Sequence, residues 1–339
     1  MSGARELDLR LPAPWAAHTR CWMAWPSGTA RWSGELDAAR RTIAELAMAV
    51  AEFEPVTMLA RPEQTAGVSL YLRPGIPVLP IAHDDVRVRD ILPTFLIGSG
   101  DRLSAVLFRY DGWGSLWPDH AQDARLAERL AEHLGAAPRR AGITLYGSLL
   151  HQDGEGTALL SAGPLLDLVR NPGMREADLE AELAALLGIE KVIWLPHLLT
   201  PSVPQREPEA PYCFLRPGVV LASVAADPSD PLHDPLQANL AVLQAAEDAR
   251  GRKLEVVTVP LPASAREAGM GYTSLYHANG ALLLPGFAEP ADKTALRAVS
   301  AAMTDHTVVQ VDVSGLLSGS CGIYALTREQ PEVATAAQG

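Results

Sequence analysis

Apolar positions along this chain recur with two periods. Leu36, Ala39, Ile43, Leu46, Ala47 and Val50 fall mostly three and four apart, which puts them on one face of a helix opened by Ser33-Gly34-Glu35. The helix is expected to end before Phe53-Glu54-Pro55, and Val56-Thr57-Met58-Leu59-Ala60 then reads as a strand. The helical pattern returns from Ala121 to Leu134, stopped by Gly135, and from Glu176 to Leu187, stopped by Gly188 ahead of a strand at Lys191 to Leu195. A fourth helix, Leu236 to Ala249, precedes the strand Leu254 to Val259, and a fifth, Ala291 to Met303, precedes Thr307 to Val311. The units start near residues 35, 121, 176, 236 and 291, so the last three intervals are 55, 60 and 55 residues, while the longer first one calls for an insertion. Such a period signals a repeat architecture. No glycine-rich phosphate loop follows any strand, which removes the usual mark of an open doubly wound sheet. The pattern therefore predicts an α/β fold closed as a fivefold pseudo-symmetric propeller.

Composition narrows the partners. The chain has 339 residues, of which 48% are apolar and 20% charged, a globular balance. Its net charge of −12 repels phosphate, so neither a nucleic acid nor an anionic membrane is expected, whereas an acidic pocket would suit a cation. No apolar run reaches the ~18 residues of a membrane span. The N-terminal residues carry no signal-peptide pattern, so the cytoplasm is the expected compartment. Cys21, Cys213 and Cys321 are odd in number and far apart, which argues against a disulfide framework. No His, Cys, Asp or Glu cluster has metal-ligand spacing, and neither a metal nor another cofactor is expected.

Several segments resemble the agmatine deiminase family of the guanidine-modifying pentein superfamily. They are Pro14-Trp15-Ala16-Ala17-His18 with Trp25-Pro26, Arg89-Asp90-Ile91-Leu92-Pro93-Thr94-Phe95, Tyr110-Asp111-Gly112-Trp113-Gly114 and Arg170-Asn171-Pro172-Gly173. Trp194-Leu195-Pro196, Tyr276-His277-Ala278-Asn279-Gly280 and Thr327-Arg328-Glu329-Gln330-Pro331 extend the likeness in order along the chain. The resemblance implies a pentein fold in one domain over 10–332, with flexible termini at 1–9 and 333–339, and a homodimer.

The family's chemistry uses a Cys thiolate that attacks the guanidinium carbon, two acidic side chains that hold the cation, and a His and a Glu that move protons. Carried over position by position, the first substrate-binding Asp falls on Asp90. The Glu of the family's E-G-G-S-I-H strand falls on Tyr146, and its H-x-D pair falls on Glu207 and Glu209. The Cys of G-G-x-I-H-C falls on Ala325, next to Tyr324. Alanine offers no lone pair, so the resemblance implies the fold while the residues argue against deimination.

The remaining groups support more than one reading. In extended chain Glu207 and Glu209 share a face and could both reach one pocket, or both could sit in a solvated Pro-rich loop. Asp90 could pair with Arg89 instead of a ligand. Cys321, four residues before Ala325, is a candidate relocated nucleophile or a small residue of the Gly315-to-Gly322 loop. His151 and His277 could each line a pocket, although a lone His is more often a structural hydrogen-bonder. The leading expectation is a repurposed enzyme for a small guanidine- or amine-type cation, as in specialised metabolism. It would use Glu207 and Tyr146 for acid–base work, with Asp90, Glu209, Trp113, Tyr324 and Ala325 around the substrate. The alternatives are a catalytically inactive ligand-binding or regulatory protein, favoured if Tyr146 and Tyr324 plug the pocket, and a residual deiminase using Cys321.

Overall fold

Strands β1 (His18–Ala24), β2 (Val56–Ala60) and β3 (Val78–Pro80) run parallel side by side, with helix Leu36–Val50 crossing between the first two. The same step recurs around the chain. Strands β4 (Thr94–Gly98) and β5 (Arg102–Arg109) pair antiparallel, helix Leu126–Leu134 crosses over, and β6 (Ala137–Thr144) returns parallel to β5. Strands β7 (His151–Gln152), β8 (Thr157–Leu160) and β9 (Lys191–Trp194) repeat this around helix Glu176–Leu187. So do β10 (Tyr212–Arg216), β11 (Val219–Val224) and β12 (Glu255–Pro260) around helix His233–Ala245. Strands β13 (Tyr276–Ala278), β14 (Ala281–Gly286) and β15 (Thr307–Asp312) do so around helix Ala291–Ala302. Finally β16 (Arg328–Pro331) pairs antiparallel with β1, placing Arg328 opposite Trp22, so one unit is built from both ends of the chain. The result is five sheets in a pseudo-fivefold α/β arrangement. The structure, a computed structural model, describes residues 9–28, 30–98, 102–200, 202 and 206–333.

The predicted repeat is thus present, and its true unit is strand, strand, helix, strand. The long first interval contains β3 and the turn Val88–Ile91, the expected insertion. Two helices differ in their boundaries: the one expected over Leu236 to Ala249 spans His233–Ala245, and the one expected from Ala121 begins only at Leu126, after a 3₁₀ turn at Asp123–Arg125. Long-range hydrogen bonds divert that last stretch, since Asp123 accepts the Asp84 amide at 2.7 Å and Asp84 accepts the Gln122 amide at 2.9 Å. Gly135 and Gly188 close their helices in the left-handed conformation, as the sequence suggested. Apart from Leu9 and Val333, the segments expected to be flexible lie outside the described residues. Among the described residues no helix is long and apolar enough to cross a membrane.

The seam where the chain ends meet is sealed by buried polar groups. Glu54 accepts the Tyr276 hydroxyl at 2.6 Å and the Asn279 amide at 2.9 Å, and lies 2.9 Å from His18 Nδ1. His277, next along β13, lies 3.2 Å from the Phe214 carbonyl and burial lowers its pKa to about 4, so it is a neutral structural group.

Candidate functional site

The first strand of each unit is reached through a short lead-in segment, and the five lead-ins converge. They carry Asp90 before β4, Ser148 before β7, Glu209 before β10, Ser274 before β13 and Tyr324–Ala325 before β16. Asp90 accepts the Ser148 amide at 2.7 Å, Glu209 accepts the Gly322 amide at 2.7 Å, and Thr273 donates to the Ala210 carbonyl at 2.8 Å. Gly322 allows this approach because a Cβ there would collide with the Ser274 hydroxyl. Gly147 is held to glycine in the same way by the Arg89 carbonyl.

The carboxylates at this centre are answered by arginines of the chain itself. Arg87 is fully buried, its Nε donates to Asp90 at 3.0 Å and its Nη2 to the Ser148 hydroxyl at 3.0 Å. Its Nη1 lies 3.9 Å from Glu209, and its guanidinium carbon sits 5.3 Å from the Trp113 ring centre. Trp113 Nε1 also donates to Asp90, at 3.1 Å. Arg89, which the sequence offered as the partner of Asp90, instead clamps Glu329. The correction follows from local geometry, because Arg87 and Asp90 lie three apart on the short turn Val88–Ile91 and so face one another.

Glu207 is fully buried and belongs to a second guanidinium. Arg31 donates to both of its oxygens, at 2.8 and 2.7 Å, and to both oxygens of Asp85, at 2.8 and 2.5 Å. The Gly319 carbonyl takes one further N–H at 3.2 Å, so every donor of Arg31 is used. Trp117 Nε1 donates to Glu207 at 2.6 Å, and the Arg31 guanidinium lies 4.5 Å from the Trp117 ring centre. Burial alone would raise the Glu207 pKa, but Arg31 and then Arg87 outweigh it and hold the carboxyl down at about 2. Glu209 goes the other way: burial raises it more than Arg87 and the Gly322 amide lower it.

The tyrosines are packed and tied. Tyr146 stacks on Trp113 at 3.8 Å, donates to Asp111 at 2.6 Å and accepts from Arg170 Nε at 2.7 Å, while burial raises its pKa. Tyr324 donates to the Leu150 carbonyl at 2.7 Å and stacks on His151 at 4.5 Å. Burial, then Arg89, lowers His151 to about 3, so its ring is neutral. Ala325 lines a residual cavity of about 10 Å³ with Ser148, Glu209 and Tyr324, room for about one water. Cys321 lies within the electrostatic reach of Arg87 and Arg31, cations the linear sequence does not place beside it, yet burial outweighs both and raises its thiol pKa.

A larger cavity of about 460 Å³ begins at Arg31 and runs past Trp117, Asp85 and Asp123. Asp123 is only 2% exposed, and burial followed by Asp85 raises its carboxyl to about 8. A carboxyl whose folded pKa is raised contributes stability that is complete below the unfolded value near 4 and is lost as pH rises through about 8. Asp123→Asn keeps the acceptor for the Asp84 amide and removes the charge. Its unfolding temperature relative to the parent is expected to climb from pH 5 to pH 9, ending above it.

Sequence reasoning therefore brought Asp90, Glu209, Trp113, Tyr146, Tyr324 and Ala325 to one place and missed Arg31, Asp85, Arg87, Trp117 and Asp123. The only local signal was the three-residue spacing of Arg87 and Asp90.

Comparison with known proteins now decides the lineage. The family model for Porphyromonas-type peptidyl-arginine deiminases matches residues 10–331. The chain belongs to that family. A relative from Streptomyces avermitilis is 37% identical, covering 98% of this chain and 100% of its own. The agmatine deiminase of Stutzerimonas stutzeri is 34% identical, covering 97% of both chains. The solved structure of the Enterococcus faecalis agmatine deiminase superposes with a TM-score of 0.89 at 25% identity, covering 96% of both chains. A pentein fold is thus shown by sequence and structure together.

Proposed function

We propose that this member of the deiminase family no longer hydrolyses guanidines and serves as a ligand-binding or regulatory protein. One observation carries the reading: the cradle formed by Asp90, Trp113 and Glu209 is filled by the guanidinium of Arg87. An external guanidine would have to expel a fully buried, charge-paired side chain before it met any reactive group. Glu207 serves in this reading as the anchor of Arg31 rather than as a proton carrier, because a carboxyl held at about 2 is a poor base near neutral pH. Tyr146 serves as a wall, its hydroxyl committed to Asp111 and Arg170.

The full chain incubated with agmatine, free arginine or a peptidyl arginine is expected to release ammonia at the background rate. Robust release that Cys321→Ser abolishes would replace this reading with that of a deiminase using a relocated nucleophile.

A further inference from the structure

We propose that the cavity between Arg31 and Asp123 is a binding site for an organic monocation, a primary ammonium group carried on an apolar body. Charge and exposure point to the head group. The cavity holds about 460 Å³ and is lined by Asp84, Asp85, Asp119 and Asp123, against two cations, Arg31 and Arg61. Arg31 is saturated by Asp85 and Glu207, and Arg61 Nη2 donates to Asp84 at 2.9 Å. Of the two carboxyls left over, Asp119 is exposed and Asp123 is buried. Asp123 is 98% buried from solvent, it accepts the Asp84 and Asp85 amides, and among the described residues no cation pairs with it. A buried carboxyl without a counter-ion on the wall of an open cavity is costly as an anion, and a ligand cation would remove that cost.

The rest of the wall selects the body. Val86, Leu116, Trp117 and Pro118 offer apolar surface, and the volume suits a ligand of drug-fragment size. A compact ammonium fits better than a second guanidinium, because the planar forks here are already matched to Arg31. The site also differs from the deiminase cradle: the Arg31 guanidinium stands between the cavity and Glu207, and Asp90 and Glu209 do not line it.

Binding should be linked to a proton. The groups facing Asp123 are Asp84 and Asp85 on the preceding loop, Tyr110 at the end of β5, Arg129 on the helix that follows its 3₁₀ turn, and Arg89 and Asp90 behind it. Arg129 is held on the Ala82 and Gln122 carbonyls and attracts Asp123 only at a distance, and Arg89 is held on Glu329, so neither forms an ion pair with it. With a carboxyl at about 8, most molecules carry the proton at pH 7, and a cation selects the minority that do not. Between pH 6 and pH 8 the ionised share rises from about 1% to about a half, so affinity should grow by up to about fiftyfold and then level off.

The test is calorimetry of the full chain with phenethylammonium, in phosphate and in HEPES, whose different ionisation enthalpies report proton release. One saturable site, release of a proton at pH 7 and the rise with pH are expected. Asp123→Asn should weaken binding tenfold or more and flatten the pH profile. Leu116→Arg, which puts a cation into the cavity mouth, should abolish binding while the fold stays intact by circular dichroism. Phenylacetate should not bind. Absence of binding at pH 8, binding that both variants leave unchanged, or affinity independent of pH would each overturn the proposal. Ammonia release is a separate readout, so guanidine hydrolysis and this site stand or fall independently.

Discussion

Arg87→Ala is expected to destabilise the protein by about 3–5 kcal/mol, measured by urea unfolding at neutral pH, because it leaves buried carboxylates without their cation. Asp90 would keep the Ser148 amide and the Trp113 indole, and Glu209 the Gly322 amide, but the full positive charge between them would be gone. The decisive part is rescue. Truncation at Cβ removes a fragment with the shape of ethylguanidinium, and the space it leaves is lined on purpose-built geometry: a carboxylate, a hydroxyl and an aromatic face. Ethylguanidinium at about ten times its dissociation constant should therefore restore about 1.4 kcal/mol to the variant and nothing to the parent. Equal effects on both proteins would mean that Arg87 does not occupy a guanidinium cradle.

The fold was legible because each unit announces itself locally. A helix with an apolar face and an apolar strand after it recur at nearly constant spacing, with a left-handed glycine stop at Gly135 and Gly188, and each depends on residues within one turn or one pleat. The strand at Val56–Ala60 and the helix at Glu176–Leu187 fall on the expected residues for that reason. The start of helix Leu126–Leu134 was not legible, since a long-range contact between Asp123 and the Asp84 amide decides it. The site behaves likewise. Asp90 and Glu209 could be placed because lineage marks their positions, and Ala325 because a nucleophile is missing there. What fills their pocket could not. Arg31 meets Glu207 across 176 positions of sequence, a pairing that only the closed ring creates. Arg87 was within reach of local reasoning through its three-residue spacing to Asp90, but the neighbouring Arg89 offered the same charge, and only the turn at Val88–Ile91 shows which one faces the carboxylate.

Ala325→Cys is expected to leave ammonia release from agmatine at background, although it returns a thiol to the position where the family resemblance implies the nucleophile. Loss of such a nucleophile costs on the order of 10⁶-fold in well-studied hydrolases, so its return alone would be visible if the remaining machinery were in place. Three features of this chain oppose it. The new thiol would line a cavity of about 10 Å³, too small to admit a guanidine beside Arg87. Burial already raises the nearby Cys321 thiol despite two arginines, so a thiol at position 325 gains no ready thiolate. Both oxygens of Glu207 are held by Arg31, so the departing ammonia finds no proton carrier there. Mass spectrometry of the variant after exposure to agmatine should accordingly show no covalent adduct. Detection of a thiouronium adduct or of sustained ammonia release would require Arg87 to leave the cradle in the resting protein, and the pairing of its guanidinium with Asp90 would then not be the ground state.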